Sequence, residues 1–417
     1  MFSTLRALAP KPLLAAYHFL LAYLAAAVYG FPSRRLTVIG VTGTYGKSSV
    51  VMLLGHVLRA TGHRVGWIST ATVSDGEREW LNAMKMTMPG RFHLQRFLRT
   101  LVRNGCTHAI VETSSQGISQ HRHRGIAYDI AVLTNLSPEH LEAHGGFAAY
   151  RAAKAQLFAH TASGRKECRV AIAPADLENP EEFTNGRFTR TVTFRPEDAH
   201  DLTLAPALAA FPGNIAAVLA VCDVLGVARA AAVRALASVR GLPGRLERIE
   251  CGQPFEVIVD YAFTPDAINA VYRALGPASG RTIHVLGGTG GGRDRWKLPV
   301  LGATAAAYAN VVIVTNEDPY DDDPLVLIRS VADGAREWAG SHGSGTLIEE
   351  VSDRRDAIAR AIALARPGDR ILVTGKGCEQ AIVGPHGQKI PWDDRAVLRA
   401  LLERQYGAHE APQPSTG

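Results

Sequence analysis

The sequence contains no closely spaced pair of cysteines. Its five cysteines lie far apart along 417 residues: Cys106, Cys168, Cys222, Cys251 and Cys378. Structural zinc ribbons and disulfide-stabilised secreted domains need paired cysteine spacings. We therefore expect reduced, mostly buried thiols and a protein that works in a reducing compartment.

The chain also lacks a basic run interleaved with aromatic residues, and it has no repeat of solenoid period. A net charge of +6 is modest for this length. It fits an anionic substrate, and we expect no nucleic-acid partner. A content of 47% hydrophobic and 20% charged residues is typical of a globular protein, and 417 residues are enough for two or three domains.

Two series of alternating strand and helix patterns fill most of the chain. Apolar runs predict strands at 36–41, 107–112, 129–135 and 169–173, and then at 255–261, 281–286, 310–315 and 370–374. Helical patterns separate the strands, which is typical of parallel sheets covered by helices. The predicted fold class is therefore α/β, with a central parallel-sheet domain followed by a smaller Rossmann-like α/β domain.

A Gly/Pro cluster gives the candidate domain boundary. A long alanine-rich helical pattern from Ile215 to Val239 ends at the cluster Gly241-Leu-Pro-Gly244. We predict an apolar helical segment at 1–35, a central domain at 36–243, a C-terminal domain at 244–405 and a disordered tail at 406–417.

A glycine-rich segment, Gly40-Val-Thr-Gly-Thr-Tyr-Gly-Lys-Ser-Ser49, stands between a predicted strand and a predicted helix. Such loops direct backbone N–H groups at phosphate oxygens, and the helix N-terminus adds positive potential. Lys47 would reach the outer phosphates, and the Ser48 hydroxyl would bind Mg²⁺. The predicted nucleotide-binding residues of the loop are Gly43, Thr44, Gly46, Lys47, Ser48 and Ser49. The generic G-x-x-x-x-G-K-[ST] pattern is not met literally, because Val41 stands at its first glycine.

Polar motifs follow the next two predicted strands and continue onto a helix. They are Val111-Glu-Thr-Ser-Ser-Gln-Gly117, Thr134-Asn-Leu-Ser-Pro-Glu-His-Leu-Glu-Ala-His-Gly145 and Tyr150-Arg-Ala-Ala-Lys-Ala-Gln-Leu-Phe158. Carboxyl ends of parallel strands meet at one sheet edge, where a nucleotide can bind. With the TGTxGK[ST] loop, these motifs resemble the E-x-S-S, TN-x-x-x-DHL-x-x-HG and Y-x-x-AK-x-x-LF motifs of the Mur ligase family, in its UDP-N-acetylmuramyl-tripeptide synthetase branch.

The resemblance implies a central domain of the P-loop ATPase type and a set of site residues. Glu112 and His140 would hold a second Mg²⁺, and Lys154 would be the family's carbamylated lysine, whose anionic form supports the metal. Asn214 and Asp260 would contact the nucleotide. The residues that the resemblance implies for the acceptor substrate are Thr87, Ser114, Ser115, Arg122 and Asn135.

The second domain carries four further matches: Gly244-Arg-Leu-Glu247 with GR-x-E, Asp260-Tyr-Ala-Phe-Thr-Pro265 with DYAHTP, Gly290–Pro299 with GGDRD-x-x-KRP, and Gly375-Lys-Gly-Cys-Glu379 with GKGHE. Arg293 would stabilise phosphate or carboxylate charge.

The loop that begins Thr315-Asn-Glu-Asp-Pro-Tyr320 resembles T-x-DNPR-x-EDP, and with the Gly375–Glu379 loop it would select the amino acid. Tyr320 stands where diaminopimelate enzymes carry an arginine, which would pair with a distal carboxylate. Acidic Glu317, Asp318, Asp321–Asp323 and Glu379 suit a substrate ammonium, as in lysine or ornithine, but a solvated acidic turn is an equal interpretation. Diaminopimelate therefore remains open.

The sequence departs from the family pattern at six positions: Tyr45, Gln116, Phe263, Gly292, Leu298 and Cys378. It also has only about 35 residues before the phosphate loop, where the family has a UDP-binding domain. Either UDP is held by fewer contacts, or the apolar segment recruits the protein to a lipid-linked substrate.

That apolar segment runs from Leu13 to Phe31, with basic residues on both sides. Its 19 residues reach the lower range for a membrane span, but an interfacial helix or a helix packed on the body is also compatible. A cleaved signal is disfavoured, because the loop that follows needs cytosolic ATP. We expect a cytoplasmic protein, with contact between residues 13–31 and the membrane's cytoplasmic face as one alternative.

The resemblance implies an ATP-dependent carbon–nitrogen ligase of peptidoglycan synthesis, which adds an amino acid to a UDP-N-acetylmuramoyl-peptide through an acyl phosphate with two Mg²⁺ ions. One alternative is a poly-γ-glutamate or folylpolyglutamate ligase on the same scaffold. Another is a catalytically weak, membrane-bound scaffold protein, which the six departures motivate.

Overall fold

The computed structural model describes residues 11–139, 141–292 and 294–407. The chain divides into two compact units, one ending at Arg240 and the other beginning at Gly241. The domain limits predicted above stay a prediction, and most of the predicted tail lies outside the described residues.

The N-terminal unit contains eight strands: β1 (Thr37–Thr42), β2 (Val65–Ile68), β3 (Thr72–Ser74), β4 (Glu79–Leu81), β5 (His108–Glu112), β6 (Ile130–Leu133), β7 (Val170–Pro174) and β8 (Arg190–Phe194). They form one sheet in the order β4-β3-β2-β5-β1-β6-β7-β8. Six of the strands, β2, β5, β1, β6, β7 and β8, run parallel to one another. At the β2 edge of the sheet, β3 pairs antiparallel with β2, and β4 pairs antiparallel with β3. The inner strands are buried on both faces, which explains their nearly continuous apolar sequences.

Helices cover this sheet: α1 (Lys11–Val28), α2 (Lys47–Ala60), α3 (Arg91–Arg103), α4 (Ser115–Ser119), α5 (Leu141–His144), α6 (Phe147–Ala162), α7 (Glu181–Thr184), α8 (Pro206–Ala209), α9 (Pro212–Val224) and α10 (Arg229–Ala237). Short 3₁₀ helices occur at Pro32–Arg35 and Pro196–Ala199. In the described part of the chain, no helix combines the length and the apolar character that a membrane crossing requires.

The long helix expected from Ile215 to Val239 is wrong as a single element. The structure has α9 and α10 instead, with a break after Val224. Gly226 lies in the break with a φ of +73°, a left-handed conformation that ends a helix and that glycine adopts without steric cost. The alanine-rich sequence gave no indication of this break, because alanine favours a helix on both sides of it.

Strand register brings the predicted site motifs to one sheet edge. In the parallel β1–β5 pair, Val41 lies opposite Glu112. In the β1–β6 pair, Thr42 lies opposite Leu133. The phosphate loop after β1, the end of β5 and the residues after β6 therefore emerge side by side.

The C-terminal unit has a six-stranded sheet and a two-stranded ribbon. Its strands are β9 (Glu247–Arg248), β10 (Glu256–Val259), β11 (Thr282–Gly288), β12 (Val311–Asn316), β13 (Leu347–Glu350), β14 (Arg370–Val373), β15 (Ala381–Val383) and β16 (Lys389–Pro391). The sheet order is β13-β12-β11-β14-β10-β9, parallel except for β9, while β15 and β16 pair antiparallel.

Its helices are α11 (Pro265–Leu275), α12 (Lys297–Ala306), α13 (Pro324–His342), α14 (Arg354–Leu364) and α15 (Asp394–Tyr406), with a 3₁₀ turn at Pro385–Gly387. Side chains of Thr264, Asp323, Asp353 and Asp393 cap the N-termini of these helices except α12. The predicted α/β class, with a parallel sheet in each unit, is confirmed.

Candidate active site

The phosphate loop between β1 and α2 contains two glycines whose neighbours leave no room for a side chain. Gly43 and Gly46 have φ angles of +151° and +77°. A Cβ on Gly43 would lie 1.9 Å from Thr134 Oγ1, and one on Gly46 would lie 2.2 Å from Asn214 Oδ1. A larger residue at either position would push the loop away from its supports. Asn214, predicted to contact nucleotide, is placed against this loop.

Two residues that follow β6 hold the loop in position. Asn135 Oδ1 accepts hydrogen bonds from the backbone N–H groups of Thr44 (3.2 Å) and Tyr45 (3.0 Å), and Asn135 Nδ2 donates to Tyr45 O at 2.9 Å. Thr134 Oγ1 donates to the same carbonyl at 2.7 Å. The structure thus places Asn135 on the nucleotide loop, while its predicted role toward the substrate stays a prediction. The support from Thr134 was not foreseen.

Glu112, the last residue of β5, is a buried carboxylate that accepts hydrogen bonds from neutral groups among the described residues. Ser48 Oγ donates to Glu112 Oε2 at 2.8 Å. Thr70 donates through its backbone N–H to Oε2 at 2.7 Å and through its hydroxyl to Oε1 at 3.0 Å. The structure therefore joins Ser48 and Glu112, the two predicted metal ligands on these elements. Their oxygens are of the hard kind that Mg²⁺ prefers.

Thr70 is the clearest residue that sequence reasoning missed. It follows β2, which is parallel to β5, so the register could have placed it beside Glu112. Its hydroxyl also lies 2.8 Å from the Thr87 hydroxyl. Thr87, predicted to contact the acceptor substrate, is thereby connected to Glu112 through one side chain.

Two lysines converge on the phosphate loop. Lys47 Nζ donates to the carbonyl oxygens of Gly43 (3.0 Å) and Thr44 (2.7 Å). Lys154 Nζ, from α6, donates to the same Gly43 oxygen at 2.6 Å and lies 4.3 Å from the centroid of the Tyr150 ring. Burial lowers the pKa of Lys154 well below its usual range, the charge of Lys47 acts in the same direction, and Glu139 opposes them. A buried lysine with a depressed pKa holds a larger neutral, nucleophilic fraction.

The predicted acceptor residues on α4 and the following turn have local roles in this structure. Ser114 caps α4 by accepting the Gly117 N–H at 3.2 Å. Ser115 Oγ lies 3.2 Å from His144 Nε2. Arg122 donates to Gln120 Oε1 from Nε (3.1 Å) and Nη2 (2.7 Å), and also to the Met88 carbonyl. Arg122 is therefore held next to the segment that carries Thr87.

Two predicted catalytic residues, His140 and Arg293, lie outside the described residues. Ser49, predicted to bind nucleotide, is buried in the first turn of α2. The described part of the site is therefore the loop, the Ser48–Glu112 contact and the two lysines.

Asp260, in the C-terminal unit, holds a turn. Its Oδ2 accepts the Leu246 N–H at 2.8 Å, and its Oδ1 accepts the Ala262 N–H at 2.7 Å. Burial raises the pKa of this carboxyl, although Arg245 and the backbone donors act against that shift. Its predicted contact with the nucleotide stays a prediction.

Three acidic residues predicted to meet the amino acid are hydrogen-bonded in this unit, two of them to the same lysine. Lys376 Nζ donates to Asp318 Oδ1 and to Glu379 Oε2, both at 2.8 Å. The Tyr261 hydroxyl donates to Glu379 Oε1 at 3.1 Å. Thr289 donates to Glu317 Oε1 at 2.6 Å, and burial raises the pKa of Glu317 despite this bond. Two of the three carboxylates thus already have a cationic partner.

Gly375 and Tyr320 are the other two residues predicted to meet the amino acid. A Cβ on Gly375, where φ is +101°, would lie 2.2 Å from Glu317 Oε2, so only glycine fits there. Tyr320 also has a positive φ, +53°, and its N–H donates to Val383 O at 3.0 Å. Its ring lies against Gly291. The structure therefore brings Glu317, Asp318, Gly375 and Glu379 together and places Tyr320 on an adjoining turn.

Comparison with protein families matches both units. Residues 41–218 match the Mur ligase middle domain, and residues 244–377 match the Mur ligase, glutamate ligase domain.

Individual relatives agree with these matches. A UDP-N-acetylmuramyl-tripeptide synthetase of Roseiflexus sp. (strain RS-1) is 37% identical over 93% of this chain and 82% of its own length. A solved UDP-N-acetylmuramoyl-L-alanyl-D-glutamate–2,6-diaminopimelate ligase is 28% identical, with a TM-score of 0.55 over 89% of this chain and 79% of that one. E. coli FolC in complex with DHPP and ADP gives a TM-score of 0.64 over 88% and 95%, at 19% identity, which shows a shared fold alone.

Proposed function

This chain belongs to the Mur ligase family, and on that premise we propose that it is an ATP-dependent ligase that joins an amino acid to a UDP-N-acetylmuramoyl-peptide in peptidoglycan synthesis. The relatives named above for this chemistry support the substrate class. The observation that carries the proposal is the meeting of Lys47, Ser48 and Glu112 at one phosphate loop. The combination matches what ATP-dependent phosphoryl transfer needs: a cation for the phosphates and oxygen ligands for a metal.

In the proposed reaction, an oxygen of the acceptor carboxylate attacks the γ-phosphorus of ATP, and ADP leaves with the electrons of the broken P–O bond. The amine of the amino acid then attacks the acyl carbon, loses a proton to solvent and displaces phosphate. Lys47 stabilises charge on the phosphate oxygens, and the N-terminus of α2 adds positive potential. Arg293 is proposed to do the same from the C-terminal unit.

Ser48 and Glu112 are proposed as ligands of one Mg²⁺, and Glu112, His140 and Lys154 as supports of a second. The fit rests on Glu112, a buried carboxylate that receives three hydrogen bonds from neutral groups of the described residues. Bound Mg²⁺ would offset the negative charge of the phosphoryl group in transfer. Thr70 would orient the Glu112 carboxylate through its two hydrogen bonds.

We propose that Lys154 acts as its carbamate. The neutral amine nitrogen attacks the carbon of CO₂, and loss of a proton leaves an anion. Lys47 and Lys154 both donate to the Gly43 carbonyl, and the pKa of Lys154 is lowered. Both features favour carbamylation, because it replaces one of two adjacent positive charges with a negative charge. The anion would then stabilise the second Mg²⁺.

The carbamate is tested with ¹³C-bicarbonate. Wild-type protein should give a carbamate signal by NMR, Lys154→Ala should lose both the signal and turnover, and Lys154→Glu should recover part of the turnover. Lys389→Ala, at an exposed lysine, is the control. Full turnover in Lys154→Ala would refute the assignment.

For the incoming amino acid we propose a substrate with a second ammonium group, such as lysine or ornithine, with diaminopimelate less favoured. Tyr320 supports this choice because it cannot form the paired contact that an arginine makes with a distal carboxylate. Asp318 and Glu379 already pair with Lys376. The remaining candidates for the ammonium are therefore Glu317 and the exposed carboxylates of Asp321 and Asp323.

The deciding experiment incubates the full chain with ATP, Mg²⁺, UDP-N-acetylmuramoyl-dipeptide and a panel of amino acids. ADP release and the product mass are measured. Release that depends on both acceptor and amino acid supports the proposal. Release only with folate or polyglutamate acceptors would favour the related ligases, and no release from a folded protein would favour a scaffold role.

We also propose that residues 13–31 contact the cytoplasmic face of the membrane. The exposed apolar side of α1 supports this contact.

A further inference from the structure

Helix α1 exposes large apolar side chains and buries small ones, whereas an ordinary surface helix buries its large apolar side chains. Its buried face consists of His18, Ala22, Ala25 and Ala26. Five large apolar side chains point the other way, with exposures from 54% to 67%: Leu13, Tyr17, Leu20, Leu24 and Val28. Leu14 and Leu21 are half-buried between the two faces. They recur at helical spacing and form one stripe. A helix whose only role was to cover the core would bury its leucines and expose its alanines.

The helix is nevertheless fixed to the body. A Cβ on Gly125 would lie 2.9 Å from Ala22 O and 3.0 Å from the Ala26 Cβ, so α1 approaches the turn at Gly125 at backbone distance. Arg91, at the start of α3, donates to His18 O at 3.1 Å. The exposed stripe is therefore a defined feature of the surface.

The surroundings of the stripe carry charge of one sign. No aspartate or glutamate occurs before Asp75, nor between Glu79 and Glu112. Helix α3, which packs on α1, exposes Phe92, Arg96 and Arg103 and half-exposes Arg99. These four residues share one helical face. Arg34 and Arg35, just after α1, are also exposed.

We infer that the stripe of α1 and the arginine face of α3 together form a docking surface for an anionic lipid bilayer. Leucine side chains would enter the apolar zone while arginines meet the lipid headgroups, as in interfacial helices. A second copy of this chain is a poorer occupant, because a two-fold interface would place the arginine face against itself.

The location of the surface adds a consequence for the proposed ligase. Arg91 connects His18 to the Gln120 carbonyl, and the Gln120 side chain accepts from Arg122. Docking through α1 would therefore hold the turn that contains Gln120 and Arg122, a predicted acceptor residue, near the bilayer. This consequence rests on the proposed function, but the docking itself does not require ligase activity.

The test is flotation of the full chain with vesicles of phosphatidylcholine, alone or mixed with phosphatidylglycerol. Wild-type protein should float with the mixed vesicles, less in high salt and less with phosphatidylcholine alone. Leu20→Gln/Leu24→Gln should weaken binding at least about tenfold, because each leucine loses its apolar contact. Arg96→Gln/Arg99→Gln/Arg103→Gln should abolish the preference for the anionic lipid.

Matched controls come from exposed residues of the C-terminal unit: Leu325→Gln/Val326→Gln for apolar area, and Arg329→Gln/Arg355→Gln for charge. Both should float like wild type. ADP release on the soluble acceptor should be unchanged in all these variants, which separates failure of docking from failure of the proposed ligase.

Three results would overturn the inference: no flotation with mixed vesicles, equal flotation of the Leu20/Leu24 variant, or a solution dimer that this variant dissociates. Flotation that appears only after removal of residues 1–10 would also overturn it, since the chain's own N-terminal segment would then be the occupant.

Discussion

The charges buried near the phosphate loop are compensated differently from two sets of charges buried in the C-terminal unit. Near the phosphate loop, the donors that Glu112 receives from the described residues are all neutral, and Lys154 and Lys47 share one carbonyl oxygen. In the C-terminal unit, Arg354 pairs with Asp394 through two bonds of 2.8 Å, and Lys376 pairs with two carboxylates. The difference fits the proposal that the charges of a ligand complete the first set, whereas the second set is paired within the protein.

The largest effect should come from removing the loop cation. Lys47→Met should lower kcat for ADP release roughly a thousandfold or more, because the phosphate oxygens lose a fixed positive charge. Lys389→Met, at an exposed lysine, should keep wild-type kcat. If Lys47→Met retained more than a tenth of the turnover, the loop would not be where ATP reacts.

The next effect compares a buried charge that is paired within the protein with one that is not, through the free energy of unfolding. Arg354→Met leaves Asp394 buried without its cation and should lower the free energy of unfolding by about 3–5 kcal/mol. Glu112→Gln removes a charge that has no cationic partner in the described residues and should change it by about 1 kcal/mol or less. Denaturant unfolding measures both, and equal losses would contradict the comparison.

A smaller effect concerns loop geometry. Gly46→Ala places a methyl group against Asn214 at a left-handed φ and should cost about 1–2 kcal/mol of stability, with weaker ATP binding. Gly62→Ala is the control, since Gly62 has φ +90° but nothing within 4 Å of its would-be Cβ. It should carry the backbone strain without the loss of ATP affinity, as measured by calorimetry.

The smallest effect is a pH dependence of the C-terminal unit. His284 bonds to the Tyr272 hydroxyl and to Thr374 Oγ1, both at 2.9 Å, and burial lowers its pKa to about 3, with Arg354 acting in the same direction. The unfolded chain binds a proton near pH 6.5, so stability from the neutral ring is full above that pH and is lost as the pH falls toward 3.

By pH 5.5 the expected loss from His284 is about 1.4 kcal/mol. His284→Gln should flatten this slope in unfolding experiments between pH 7 and 5. A slope identical to that of wild type would show that other groups cause the pH dependence.

Much of the fold could be read in advance because parallel strands buried on both faces leave long apolar runs. The eight strands expected for the two sheets are all present, and each predicted bound lies within two residues of the observed one. They are β1, β5, β6, β7, β10, β11, β12 and β14. The helix break at Gly226 was missed, because alanine favours a helix on both sides and only the backbone conformation of the glycine ends it.

The candidate site was predictable where local sequence carries the chemistry and less so where distant residues meet. Gly43, Gly46, Lys47 and Ser48 form one contiguous loop, so their grouping needed no tertiary information. Thr70 belongs to a different strand end, and only the β2–β5 register brings it to Glu112. The pairing of Lys376 with Asp318 likewise joins residues far apart in sequence.

The amino-acid sequence alone determined the α/β class, the phosphate loop and the residue types available for phosphoryl chemistry, because these depend on local periodicity and contiguous motifs. Tertiary structure alone decided which charges are compensated and which face of α1 is exposed. Those outcomes depend on strand register and close packing between distant segments, which no single stretch of sequence contains.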